Sequence, residues 1–103
     1  MDCEQCLSYV IASFYADTVE LLGLVLSDDD RDPSYSAVTA LNRLFVYLQL
    51  DRQRSGDSRK KTAGAMIREA GFSAEDAQRI LQKARREYPE YHGEIFDRDF
   101  LFS

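Results

Sequence analysis

Apolar residues in the first quarter of the chain recur mostly three or four apart, at Cys3, Leu7, Val10, Ile11, Phe14, Leu21, Leu22 and Val25. That spacing lines one side of an α-helix. Asp2 stands just ahead of it as an N-cap, so the pattern predicts a first helix running to about Leu26. Its last third, VELLGLVL, is apolar on nearly every side. A helix that is apolar all round is covered all round, which puts this stretch at the centre of the fold or at a subunit contact.

The acidic run SDDDRDP ends that helix. Asp32 followed by Pro33 reads as a second start: an N-cap, then proline at the first helical position, where its missing N–H costs nothing. The second helix is expected from Pro33 to about Arg54. Val38, Leu41, Phe45 and Leu48 form its stripe, widened by Leu44, while Tyr35, Val46, Tyr47 and Leu50 lie off it. After the loop RSGDS, Asp57 or Ser58 is the expected cap of a third helix to about Ala70, with Ala63, Met66, Ile67 and Ala70 inward. Gly71 suits the left-handed position that closes a helix. Ser73, with Asp76 three residues on, opens a fourth helix in the manner of a capping box. Ala77, Ile80, Leu81, Ala84 and Tyr88 form its inner side, and Pro89 marks its end. A short fifth helix is expected from about Glu94.

The pattern therefore predicts an all-α fold: one helical domain over residues 1–103, a compact bundle of four main helices with a short fifth, helices three and four forming a hairpin at Gly71. With 103 residues, such a domain buries enough surface to stand without a disulfide or metal. The apolar stretch over residues 5–26 is interrupted by Asp17 and Glu20, so no membrane span is expected. The N-terminus also lacks the basic region and cleavage site of a secretory signal. Two cysteines three apart do not make a disulfide framework, and a reducing, cytoplasmic setting follows as the expectation.

Charge divides the chain into blocks: net −7 over residues 1–51, +6 over 52–86 and −4 over 87–103. Blocks of opposite sign either compensate inside the fold or present faces of opposite sign to partners.

The helical hairpin at Gly71 is also the geometry of DNA-reading helix-turn-helix units. Gly71, Ala77 and Ile80 fit that pattern, but Ile67 stands where a small residue is needed. The early turn of the reading helix carries Glu75 and Asp76, of the wrong sign for phosphate. Gln78, Arg79, Gln82, Arg85 and Arg86 would be the contacting side chains. The run GFSAEDAQRIL resembles the first loop and second helix of ubiquitin-associated domains, which pair Met-Gly-Phe with a following Asp-Ala. Ala70 occupies the place of that Met-Gly pair, no matching third helix follows, and the resemblance ends with that run, so it implies no function here.

Cys3 and Cys6 form a C-x-x-C at a helix start, where the dipole favours a thiolate. Asp2 and Glu4 oppose it, and a structural metal needs four ligands, which one histidine and two cysteines do not supply. Asp28, Asp30 and Asp32 match the start of a calcium loop, but Pro33 replaces its glycine and Thr39 its closing glutamate. SGDSRKKT lacks the spacing of a phosphate loop. The single histidine, His92, lies between Tyr91 and Gly93 in what reads as a turn, and no nucleophile–base pair is set by spacing.

No cofactor, metal, catalytic residue or membrane is therefore expected. The expected function is protein binding without catalysis: a small acidic inhibitor, immunity protein, antitoxin or secretion-chaperone-like adaptor docking on a basic partner surface. The docking group would be Asp28, Asp29 and Asp30 with the tail residues Glu90, Tyr91, Glu94, Phe96, Asp97, Asp99 and Phe100, aromatic anchors rimmed by acids. Surplus apolar surface on the first two helices adds a homodimer as a second expectation. Two alternatives stay open: a DNA-binding regulator using residues 59–88, and a thiol redox switch at Cys3 and Cys6.

Overall fold

The first apolar run folds as one helix, α1 (Cys3–Ser27), and the second as α2 (Ala37–Ser55). The structure, a computed structural model, describes residues 3–56, 61–90 and 95–96, with side chains described for 6–56 and 61–90. Loop 28–36 turns the chain back, so α1 and α2 form an antiparallel pair. Midway along it, Tyr15 stacks on Tyr47 with ring centroids 4.4 Å apart, and the Arg43 guanidinium lies 4.5 Å over the Phe14 ring. α3 (Ala63–Glu69) and α4 (Ala74–Glu87) follow. α3 packs on α4, and α4 touches both α1 and α2. The result is the expected all-α bundle of four helices.

The core is built from the predicted stripes. α2 buries Leu41, Leu44, Phe45 and Leu48; α3 buries Ala63, Met66 and Ile67; α4 buries Ala77, Ile80 and Ala84; and Leu22 and Val25 of α1 complete the cluster. Thr18 is buried on the same side of α1, its hydroxyl donating to the Phe14 carbonyl at 2.8 Å, which leaves no unmet polar group there.

The α3–α4 hairpin closes as predicted. Gly71 has φ +105°. Its N–H donates to the Arg68 carbonyl (3.0 Å) and that of Phe72 to Ile67 (3.4 Å), the paired bonds of a Schellman motif. Phe72 then packs on the core. Ser73 caps α4, its hydroxyl accepting from Asp76 N–H at 3.1 Å.

Several local expectations give way to tertiary structure. α2 starts at Ala37, because Ser36 is extended and caps it, its hydroxyl accepting from Thr39 N–H at 3.0 Å, while the Ser34 and Tyr35 N–H groups before it donate to the Asp28 carboxylate in the loop. α3 starts after Thr62, whose hydroxyl accepts from Ala65 N–H; the expected caps Asp57 and Ser58 lie outside the described residues. Lys61–Thr62 is extended, paired antiparallel with Ile95–Phe96. Those two residues thus form a short strand, not the start of a fifth helix. Tyr88 turns off the inner face of α4 and is exposed, because the residue before a proline is driven to extended backbone and Tyr88 takes φ −140°, ψ 94°.

VELLGLVL is covered on one side only. Leu22 and Val25 are buried while Leu24 is exposed, since α2 and α4 both lie on the same side of α1. By length and composition the Cys6–Ser27 stretch is apolar enough to cross a membrane. Here its inner side is part of the bundle, and Asp17 and Glu20 are exposed.

Two substitutions separate backbone from packing contributions. Gly71→Ala meets open space and costs only the strain of positive φ, about 1–2 kcal/mol. Leu44→Ala opens a cavity in the core and costs about 3 kcal/mol. Denaturant unfolding of both variants checks the ordering.

Candidate functional site

The most polar construction in the molecule lies where α1 ends. The last carbonyls of a helix lack partners within it and carry partial negative charge. Here a neighbouring helix supplies cations to them. Arg79, Lys83 and Arg86 stand at i, i+4 and i+7 on α4, one face of the helix. The Lys83 ammonium, only 12% exposed, donates to the Val25 carbonyl (2.7 Å) and the Asp28 carbonyl (2.9 Å) and pairs with Asp30 Oδ1 (3.1 Å). Arg79 donates to the Leu26 carbonyl at 3.4 Å, and Arg86 lies 3.6 Å from Asp30 Oδ2.

The same helix also holds the start of α2. The Glu87 carboxylate accepts from Ala37 N–H at 2.9 Å and from the Ser36 hydroxyl, placing an anion at the positive end of that helix. Between the two ends the loop wraps on its own acids. Asp28 Oδ2 accepts from Ser34 and Tyr35 N–H at 2.7 and 2.8 Å, and Asp29 Oδ1 accepts from Arg31 N–H at 2.9 Å. The hydrogen bond from Lys83 and its charge, with a smaller contribution from Arg86, hold the Asp30 carboxyl below the ordinary carboxylate range.

A shallow cavity of about 210 Å³ sits at this corner, lined by Asp28, Asp29, Asp30, Tyr35, Lys83 and Glu87 among others. It is smaller than most small-molecule sites, and its charged groups already bind one another. A second cavity of about 310 Å³ lies across α4, lined by Thr62, Gly64, Gln78, Leu81, Gln82 and Arg85.

The side chains read from the sequence as DNA contacts thus split into two stripes. Arg79 and Arg86 turn to the acidic corner. Gln78, Gln82 and Arg85, again at i, i+4 and i+7, line the second cavity. Of the docking group, Asp28, Asp29 and Asp30 come together at the corner, and Glu90 is exposed near the end of α4. Tyr91, Glu94, Asp97, Asp99 and Phe100 lie outside the described residues, and of Phe96 only the backbone strand is described. Cys6 is exposed on the second turn of α1, and Cys3 is described only as the start of that helix. Among the described residues no three of His, Cys, Asp and Glu converge as metal ligands.

Lys83 and Glu87 carry the corner, and neither was singled out from the sequence. The available signal was the i, i+4, i+7 basic row on the fourth helix facing an acidic loop. Burial also raises the phenol pKa values of the Tyr15–Tyr47 pair, with a further push from Tyr47 on Tyr15 and from Asp51 on Tyr47. Both rings are therefore neutral at physiological pH.

Compared with known proteins, the chain is matched by no family model, by no curated protein and by no solved structure.

The depressed Asp30 value fixes a pH dependence. A carboxylate favoured by folding contributes stability above its ordinary pKa and loses it as pH falls through the folded value. Asp30→Asn is therefore less stable than the wild type at neutral pH, and the two converge in acid. Thermal melts from pH 7 to pH 2 check this, and a gap that persists unchanged at low pH contradicts it.

Proposed function

We propose that this chain is a non-catalytic protein-binding module of the small acidic helical kind, an inhibitor, immunity protein, antitoxin or secretion-chaperone-like adaptor that docks on a basic partner surface. What carries the reading is the distribution of charge after internal pairing. The Lys83 and Arg86 cations are turned to the corner, while Asp29, Asp32 and Glu90 are exposed on a chain of net charge −5. A surface with acids in excess speeds encounter with a basic partner and loses affinity as salt rises. A reducing, cytoplasmic setting belongs to the same proposal. A DNA-reading role for α4 has less support, because two of its arginines contact the Leu26 carbonyl and Asp30.

The test begins with the protein captured by the tagged full chain from its host. Asp29→Lys combined with Glu90→Lys removes two exposed hydrogen bonds within the chain, from Arg31 N–H and from the Tyr88 hydroxyl, and no buried contact. It weakens binding of the captured partner roughly tenfold or more at low salt, with a shallower salt dependence. Unchanged affinity in isothermal titration refutes docking through these acids.

A further inference from the structure

α1 carries a row of residues spaced alternately three and four apart: Leu7, Val10, Phe14, Asp17, Leu21 and Leu24. This is the spacing of a helix–helix seam. Much of it has no cover within the chain. Leu7 is 51%, Val10 58% and Leu24 38% exposed, and Asp17 is exposed among them. The spacing reads the same in either direction, so an antiparallel copy of the helix lays the row upon itself. Phe14 then faces Asp17 of the second copy, Val10 faces Leu21 and Leu7 faces Leu24.

Charge fits the same arrangement. Between residues 5 and 27 the only charges are Asp17 and Glu20, and between 33 and 50 the only one is Arg43. Arg43 stacks on Phe14. Its Nε is buried without an acceptor, and among the described residues neither it nor Asp17 has an ion-pair partner. The register that sets Phe14 opposite the second copy's Asp17 brings that carboxylate to Arg43, twice by symmetry. A two-fold contact must be complementary to itself, and one acid with one base in an apolar row meets that condition.

We propose that this face of α1 is a homodimer interface, with Arg43 of each copy paired to Asp17 of the other. From Leu7 to Leu24 the contact runs about 26 Å. A single helix pair of that length is smaller than a standard interface, so the dimer is a reversible one whose population rises with concentration. The inference is independent of a basic partner, because its readout needs only the chain itself.

Sedimentation equilibrium of the full chain from about 1 µM to about 1 mM tests it. The wild type shifts from monomer to dimer mass. Asp17→Arg and Arg43→Glu each weaken self-association about tenfold or more. Mixing the two variants restores dimer, because each cross-pair in the mixed dimer is again attractive. Val10→Glu, at an exposed position that leaves the fold intact, abolishes the dimer as well. A wild type that stays monomeric throughout, charge variants that dimerise normally, a mixture that does not recover, or a Val10→Glu chain that still dimerises overturns the proposal.

Discussion

One ammonium group closes the α1–α2 corner. Lys83 reaches the Val25 carbonyl in the last turn of α1, the Asp28 carbonyl just past it and the carboxylate of Asp30. A lysine this well covered is stable as a cation only where acceptors surround it. The end of a helix supplies them, since its last carbonyls need donors as much as the ammonium needs acceptors. One turn further along α4, Glu87 meets the start of α2. A single helix thus places opposite charges on opposite helix ends, and the connection between the two longest helices is fixed by side chains fifty residues away.

This arrangement accounts for the charge blocks. The acidic first half and basic middle neutralise each other where Asp30 meets Lys83 and Arg86, so part of the basic block is internal. The acids outside the corner then set the sign of the outer surface. The basic face that a DNA-reading helix would need is reduced in the same step, since Lys83 is covered and the exposed Arg79 and Arg86 are engaged by the Leu26 carbonyl and Asp30.

Features set by near neighbours were legible in the sequence. The stripe Leu41, Leu44, Phe45, Leu48 follows from helical periodicity, and the Gly71 turn and Ser73 cap depend on residues within a few positions. The start of α2 was not legible. Asp32–Pro33 is a sound local start signal, but the Asp28 carboxylate holds the next N–H groups and Glu87 waits at Ala37. The outer side of VELLGLVL has the same limit: composition shows that a helix is apolar and must be covered, while only the fold shows that its own chain leaves Leu24 exposed, on the face of the proposed subunit contact. The acidic loop was recognised as a cluster, but its role at the corner depends on Lys83, whose place opposite it only the fold reveals.

Side chains of α4 fix the loop between α1 and α2. Native-state hydrogen exchange at the amides of Ser34, Tyr35 and Ala37 tests it most directly, since side-chain carboxylates and not helix bonds hold these N–H groups. Exchange is expected to be slow at all three, with protection falling together in Lys83→Met while the amides of Leu44 and Phe45 in the core remain protected. Exchange at the rate of an open loop in the wild type, or protection unchanged by Lys83→Met, would contradict it.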